Sequence, residues 1–254
     1  MAEAERFFAA ANVAAAPREL IAVGGTLDVA TLVAAYRAGC FPWPSEGPGS
    51  MALRRAARRL VRHGEVAGLP GPDAAVPWCS PDPRAVLIPE RLVVPKSLRQ
   101  RLRGCGWTTT LDTAFADVIT ACAQRPDTWI TERMIAAYIA LHNAGHAHSV
   151  EVWEGERLVG GLYGVRTGAV FSGESMFHRE SDAGKVAVVD LCGRLREAGM
   201  PVVDTQQETE HLRRLGQVLV TRADYLTALS HLRDRAAVIP SGRRAAAALA
   251  SRPG

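Results

Sequence analysis

Two short runs hold the side chains best suited to chemistry: Phe171-Ser172-Gly173-Glu174-Ser175-Met176-Phe177 and Val203-Asp204-Thr205-Gln206. Together they set two carboxylates, an amide and a thioether among apolar residues. Each run reads as a strand. The first follows a glycine turn at Arg166-Thr167-Gly168 and then Ala169-Val170; the second follows Gly199-Met200-Pro201-Val202. Side chains alternate across a strand, so Asp204 and Gln206 are expected on one face. An acid and an amide so placed suit a site that handles a proton and orients an amine. The same spacing also describes a strand end whose polar groups are satisfied within the fold.

The rest of the chain narrows the classes. With 254 residues, 48% hydrophobic and 22% charged, it can bury a sizeable core as one large domain or two small ones. No apolar run approaches the ~20 residues that span a bilayer. Met1-Ala2-Glu3-Ala4-Glu5-Arg6 places acids where a secretory leader needs positive charge, so a cytoplasmic protein without a membrane partner is expected. The cysteines (Cys40, Cys79, Cys105, Cys122 and Cys192) are odd in number and form no C-x-x-C pair, which argues against a disulfide framework or a zinc site. His142, His146 and His148 lack partners at metal-ligand spacing and read as structural, so no metal is expected.

A net charge of +4 is mild for a nucleic-acid binder, but the charge is clustered. One cluster is Arg54-Arg55, Arg58-Arg59 and Arg62-His63; the other is Lys96, Arg99, Arg101 and Arg103. Both fit one face of a helix, which also describes an ordinary solvated surface.

The elements that must position the two runs follow from periodicity and punctuation. Asp28 caps a helix through Leu32, Val33 and Tyr36, closed by Gly39. Residues 44–75, rich in Gly, Pro, Ala and Arg, read as a flexible insertion around one basic helical stretch. A strand at Ala85-Val86-Leu87-Ile88, a basic helix from Pro95 to Gly104, a strand at Trp107–Thr110 and a helix from Asp112 to about Ala123 follow. Thr131 caps a helix through Met134, Tyr138 and Leu141, ended by Gly145. Three strands then form a meander over Val150–Trp153, Leu158–Val165 and Ala169–Ser172. After a helix from about Asp182 to Ala198 come the strand 201–206, a short helix ending at Gly216, a strand at Val218–Thr221 and a helix near 224–235. The tail from Ser241 reads as disordered.

A meander, a helix and two further strands in this order match the Gcn5-related acetyltransferase (GNAT) arrangement. Coenzyme A binding in such folds uses a glycine-rich turn before a helix, where backbone N–H groups face pyrophosphate. Here that stretch, Phe177–Lys185, carries one glycine and two acids, which argues for a different acyl donor.

The chain resembles the leucyl/phenylalanyl-tRNA–protein transferase family from about residue 24 to 229. The residues that carry the resemblance occur in order: Gly24-Gly25, Ala35-Tyr36-Arg37 with Gly39, Phe41-Pro42-Trp43, Trp78-x-Ser80-Pro81-Asp82-Pro83-Arg84-Ala85-Val86-Leu87, Thr128-Trp129-Ile130, Ala137-Tyr138-x-x-Leu141-His142, Gly145-His146-Ala147-His148-Ser149-Val150-Glu151, Leu158 through Val165, Gly173-Glu174-Ser175-Met176-Phe177, and Asp204-x-Gln206.

The resemblance implies an α+β protein: a small N-terminal α/β domain (1–95, with 44–75 as insertion), a GNAT-like catalytic domain with a mixed, mostly antiparallel sheet (96–240), and a tail (241–254). It implies transfer of Leu or Phe from Leu-tRNA or Phe-tRNA to an N-terminal Arg or Lys of an acceptor protein, marking it for N-degron degradation, by a monomer. Converting an ester to an amide is downhill, so no cofactor is expected. The α-amine, with a pKa near ~8, is partly neutral already. The enzyme must mainly hold it against the carbonyl and take up a proton. On this reading Gln206 orients the amine through its carbonyl oxygen. Asp204 supplies negative charge, and Glu174 binds the acceptor's positive end. Replacing Asp204 with Asn then reduces turnover sharply while sparing donor binding.

By the same resemblance Leu162, Phe171 and Met176, with Leu195, wall the donor side-chain pocket. Trp43, Trp129, Tyr36 and Tyr138 lie near the 3′ adenosine. Lys96, Arg99, Arg101 and Arg103 meet the acceptor stem.

The chain departs from the family pattern at four places. Thr205 stands where Cys is usual and is expected to face away from the site. Cys79 stands where a second Trp is common, and Gly184 where Ser is. The 44–75 stretch is far longer than the family's link. Two competing readings are a GNAT-fold acyltransferase with another donor, such as coenzyme A, and a tRNA-binding module without catalysis. Transfer to N-terminal Asp or Glu would want a basic acceptor pocket, and acids at 174 and 204 oppose it.

Overall fold

The computed structural model describes residues 2–43, 50–70, 76–124 and 128–250. The N-terminal part runs α1 (Ala2–Ala10), β1 (Leu20–Gly24), α2 (Val29–Arg37), β2 (Phe41–Pro42), α3 (Ser50–Arg62), β3 (Ala67–Leu69) and β4 (Pro77–Cys79). Next come β5 (Arg84–Leu87), α4 (Lys96–Gly104), β6 (Thr108–Leu111), α5 (Phe115–Ala123) and α6 (Glu132–Asn143). The meander is β7 (Ala147–Glu154), β8 (Arg157–Thr167) and β9 (Val170–His178), followed by α7 (Ala183–Glu197) and β10 (Val202–Gln206). The chain continues through α8 (Glu210–Arg213), β11 (Val218–Val220), α9 (Arg222–Leu232), β12 (Arg244–Ala245) and α10 (Ala246–Leu249).

The protein is α+β, with two mixed sheets. The smaller has the order β2-β4-β1-β3, and the larger β11-β5-β10-β9-β8-β7-β6-β12. Among the described residues of the larger sheet, only the β9–β10 pair is parallel, because α7 carries the chain back across the sheet between them. β5 lies in this sheet between β11 and β10, although it falls within the stretch 1–95 that the sequence groups with the N-terminus.

The caps fall where their chemistry requires. The Asp28 side chain accepts from the Thr31 N–H at 2.8 Å, and Thr131 accepts from the Met134 N–H at 3.3 Å. Helix α7 is buried nearly all round and packs on one face of the large sheet with α4 and α10. The other face takes α5 and α6, and the same apolar cluster continues into Phe8, Tyr36, Phe41 and Trp78 of the N-terminal part. That continuity positions Tyr36 and Trp43 against the large sheet.

The stretch read as a flexible insertion around a basic helix, and the tail read as disordered, are both tied to the sheets in part. Within 44–75, α3 is helical and β3 pairs parallel with β1; residues 44–49 and 71–75 lie outside the described residues. Val61 fixes this contact, since a Cβ at Gly68 would stand 2.8 Å from its Cγ1. The tail from Ser241 supplies β12, which pairs with β6, and α10, which buries Ala246 and Leu249; residues 251–254 lie outside the described residues. Composition alone hid this tie. The buried Arg194 guanidinium pairs with Asp190 at 2.6 Å and donates to the carbonyls of Pro240 (2.6 Å) and Gly242 (2.9 Å).

Candidate active site

Alternation fails at the two strands that matter most. Thr205 is the extra residue of a bulge on β10, where Asp204 pairs with Val86 but Gln206 pairs with Ala85. Gln206 itself is left-handed, with φ 63°. On β9, Glu174 has no partner on β8: Tyr163 faces Ser175 and Gly164 faces Gly173. Bulges re-aim side chains, and both of these turn a polar residue into one cavity.

That cavity, about 180 Å³, is lined on its polar side by Glu174, Gln206 and His211, with Trp129 also on its wall. Its apolar wall includes Leu87, Leu162, Met176, Val188, Leu191 and Val203. Aliphatic cavities of about 150 Å³ hold a benzene molecule, so this one admits a branched or aromatic side chain. Of the expected pocket residues, Leu162 and Met176 line it. Phe171 and Leu195 are fully buried in the core behind it and do not reach it. Val188 and Leu191, one turn apart on α7, take that place. Their spacing was visible in sequence, but which face of α7 meets the cavity was not.

Asp204 does not line the cavity. Its carboxylate points to the opposite face, fully buried. There it accepts two hydrogen bonds from Arg84 (Nε 2.8 Å, Nη2 2.7 Å), one from the Tyr225 hydroxyl at 3.0 Å and one from Ser172 Oγ at 3.2 Å. It also accepts from the Gln206 backbone N–H at 3.0 Å, which pins the left-handed turn. Burial pulls the Arg84 guanidinium toward deprotonation, but the Asp204 carboxylate hydrogen-bonded to it outweighs this, and Arg84 stays cationic. Asp204 and Gln206 therefore do not share a face. Asp204 shapes the strand end, and Gln206 faces the cavity. Thr205, expected to point away, lines the cavity as well, because alternation from Asp204 puts it there.

Glu174 joins the cavity to the N-terminal part. Gln206 Nε2 donates to Glu174 Oε1 at 2.7 Å, the Tyr138 hydroxyl donates to Oε2 at 3.1 Å, and the Tyr36 and Tyr138 hydroxyls lie 2.6 Å apart. Burial pushes both tyrosines well above the usual phenol range, so they remain proton donors. Burial likewise raises Glu174 to about 7; hydrogen bonds from the tyrosines and Gln206 pull it down, and the nearby Asp204 charge pushes it up. Tyr36 and Tyr138 are thus too deeply buried to stack against a ligand, and they act through their hydroxyls instead.

Trp43 and Trp129 are half-buried and stacked, with ring centroids 5.5 Å apart and planes at 23°. They offer an aromatic platform that adjoins the cavity through Trp129. A second cleft of about 690 Å³ shares Met176 and His211 with the cavity and carries His178, Arg179, Asp182 and Lys185. Sequence reasoning passed over His211. It lines both spaces, its Nε2 is buried without a hydrogen-bond partner among the described residues, and burial lowers its pKa.

Helix α4 exposes Lys96, Arg101 and Arg103, with Arg99 half-buried, while Leu98 and Leu102 anchor it in the core. Its Arg101 lies 3.9 Å from Asp182 at the start of α7, which places the basic face beside the second cleft. No group of three metal-ligating side chains occurs among the described residues, and no described helix is long and apolar enough to cross a membrane.

Comparison with known proteins gives a consistent result. The profile of the leucyl/phenylalanyl-tRNA protein transferase family matches residues 86–230, and that of its N-terminal domain matches residues 25–51. Proteins of that name from Oleidesulfovibrio alaskensis and Stutzerimonas stutzeri are 47% and 44% identical over 231 and 223 residues. These alignments cover 87% and 86% of this chain and 81% and 87% of the relatives. A protein of the same name from Shewanella baltica is 42% identical over 222 residues, covering 86% of this chain and 83% of the relative.

Proposed function

Since the chain belongs to the leucyl/phenylalanyl-tRNA–protein transferase family, we propose that its cavity binds the Leu or Phe side chain of an aminoacyl-tRNA and that Glu174 and Gln206 direct an acceptor's α-amine onto the ester. The protein is an aminoacyltransferase acting on aminoacyl-tRNA and a protein N-terminus. The observation that carries the site assignment is the Glu174–Gln206 pair at the polar edge of an apolar cavity sized for one side chain.

The chemistry follows from the hydrogen bonds. Ionised Glu174 accepts from Gln206 Nε2, which leaves the Gln206 carbonyl oxygen to receive an N–H of the incoming amine. The amine nitrogen attacks the ester carbonyl carbon. The C–O bond to the ribose then breaks as the new C–N bond settles into an amide. The proton shed by nitrogen passes to Glu174, whose pKa of about 7 suits a general base near neutrality, and from Glu174 to the ribose oxygen as it leaves, which returns the carboxylate to its starting state. Asp204 is a positioning residue: it holds the Gln206 backbone N–H, and its own charge is matched by Arg84. With that pair neutralised, ionised Glu174 gives the cavity a negative charge suited to a cationic α-amine and an N-terminal Arg or Lys side chain.

The donor's other end has its own surfaces. Trp43 on Trp129 suits the 3′ adenine, and a base stacked on an aromatic gains about 1–3 kcal/mol. Trp43→Ala is expected to raise the KM for Leu-tRNA by roughly 5- to 150-fold with little change in kcat; a changed kcat at unchanged KM would place the adenine elsewhere. Lys96, Arg99, Arg101 and Arg103, beside the cleft that holds Lys185, suit the phosphates of the acceptor stem. The meander β7–β9, α7 and the parallel return at β10 support a GNAT-like catalytic domain beginning at β5, with the smaller sheet as an N-terminal domain. Action as a monomer in the cytoplasm, feeding N-degron degradation, is part of the same reading.

The test is transfer of labelled Leu from Leu-tRNA to peptides beginning with Arg, Lys, Asp or N-acetylated Arg. Label on the free Arg and Lys peptides alone is the expected result. Label on the Asp peptide would overturn the acidic acceptor pocket, and label on the acetylated peptide would overturn the α-amine as nucleophile.

A further inference from the structure

Away from the cavity, the described residues hold a second strongly charged concavity. A groove of about 610 Å³ runs between α3 and the edge of the smaller sheet. Arg55, Arg58 and Arg62 line it from α3, at the three- and four-residue spacing that stacks side chains on one helix face; Gly24, Gly68 and Pro70 line it from the sheet side. All three arginines are exposed, and no carboxylate lines the groove among the described residues. The nearby Glu65 is taken by Arg18 at 2.6 Å. Val61, seated on Gly68, docks α3 on β3, so the arginines are presented on a fixed surface.

The place of this groove in the fold gives it an occupant. β3 and β2 are the two edges of the four-stranded sheet, three strand spacings or about 14 Å apart. β2 leads directly into Trp43, stacked on Trp129 at the cavity, and α3 begins seven residues after Trp43. A polyanion whose end lies on that tryptophan pair is within reach of the groove. The three arginines fall outside both matched family segments, 25–51 and 86–230.

We propose that Arg55, Arg58 and Arg62 form an accessory phosphate-binding groove that holds the sugar–phosphate backbone of the donor tRNA on the N-terminal side of the active site. The proposal rests on the aminoacyl-tRNA reading of the cavity. Guanidinium groups bind phosphate oxygens in a bidentate, sequence-independent way. The groove therefore adds affinity for the RNA without choosing among tRNAs, and its contribution falls as salt rises.

The test compares two donors in the full-length protein: Leu-tRNA, and 2′(3′)-O-leucyl-adenosine, which keeps the reacting ester and the adenine but has no phosphate. The variant is Arg55→Ala/Arg58→Ala/Arg62→Ala, with the triple Lys variant as its charge-preserving partner. The Ala variant is expected to raise the KM for Leu-tRNA about tenfold at moderate salt and to reduce the slope of log K against log salt by about 2 to 3. The KM for leucyl-adenosine should not move, and the Lys variant should recover most of the loss. An equal rise for both donors, no rise for either, or a rise only in the KM for the acceptor protein would overturn the proposal; the last would assign the groove to an acidic protein surface. If the wild-type protein transferred from neither donor, the reading of the cavity would fail on its own. The groove would then stand or fall on whether the Ala variant loses affinity for uncharged tRNA.

Discussion

Asp204→Asn is expected to lower folding stability by about 3–5 kcal/mol. The carboxylate is fully buried and accepts the Arg84 Nε and Nη2 hydrogens, the Tyr225 hydroxyl, Ser172 Oγ and the Gln206 N–H. The Arg84 guanidinium, equally buried, lies 4.5 Å from the Tyr225 ring centroid and 5.1 Å from that of Phe41, and its Nη1 donates to the Gly39 carbonyl at 3.2 Å. Neutralising Asp204 leaves that cation unmatched where water cannot reach it. A pair of such groups contributes little net stability compared with two apolar side chains, but removing one partner is costly. Asp204→Asn combined with Arg84→Met should therefore be less destabilised than Asp204→Asn alone. Denaturant midpoints of the wild type, both single variants and the double variant give the coupling directly. An unchanged midpoint in Asp204→Asn would show that Asp204 does not anchor this part of the fold. Transfer should also fall in the folded fraction, because the Gln206 backbone N–H then has only a neutral amide oxygen, a weaker acceptor than the carboxylate, to hold it. The simpler expectation from spacing, a loss of turnover alone, misses the structural share of the defect.

That difference marks what sequence can and cannot convey. Periodicity and punctuation located the meander, α7 and β10, because Gly155, Gly168 and Gly199 sit at turns and the apolar pattern between them is regular. The two runs with the most chemistry were identifiable for the same reason. Their geometry was not, because strand alternation holds only where pairing is regular. The bulges at Glu174 and Thr205 depend on how β8 and β5 register against their neighbours, which are long-range facts. Arg84 carries no local sign that it pairs with a residue 120 positions later. Tyr36 and Tyr138, named as aromatics for a base, instead lend their hydroxyls to Glu174, since burial removes their faces and leaves only the polar tip to be satisfied. The tail from Ser241 reads as unstructured from its Ala and Arg content, whereas the buried Arg194 of α7 holds the carbonyls of Pro240 and Gly242 at its start. The helix α3 was legible as a basic helical stretch, but its docking was not, since that depends on the close contact of Val61 with Gly68 on β3.

Glu174→Gln separates the proposed proton acceptor from its surroundings by two independent readouts. The first is kinetic. Below pH 7 the wild type needs two deprotonations, one at Glu174 and one at the acceptor α-amine, whose ordinary pKa is ~8. The slope of log(kcat/KM) against pH should thus approach two in the wild type and one in the variant. At pH 8 the variant's kcat/KM should be lower by about 10²- to 10⁴-fold, the usual worth of a general base. Protonation also changes the geometry. A neutral Glu174 donates its hydroxyl to the Gln206 carbonyl oxygen, so the amide turns and presents its NH₂ group, a donor, to an amine that needs an acceptor. The second readout is stability, and its sign is fixed by burial. Burial raises Glu174 from 4.5 to about 7, so the folded protein holds this proton more tightly than the unfolded chain does. The favourable contribution is fully present below pH 4.5 and is lost as pH rises to about 7. The variant has no such loss. Its stability relative to the wild type should therefore improve by on the order of 3 kcal/mol between pH 4.5 and pH 7 and stay level above that. A slope of two persisting in the variant would remove Glu174 from the proton path. A stability difference independent of pH would show that its carboxylate is not held in the low-dielectric setting from which its basicity arises. The residue that limits activity at acid pH is on this account the same one that weakens the fold at neutral pH, because a single buried carboxylate supplies both effects.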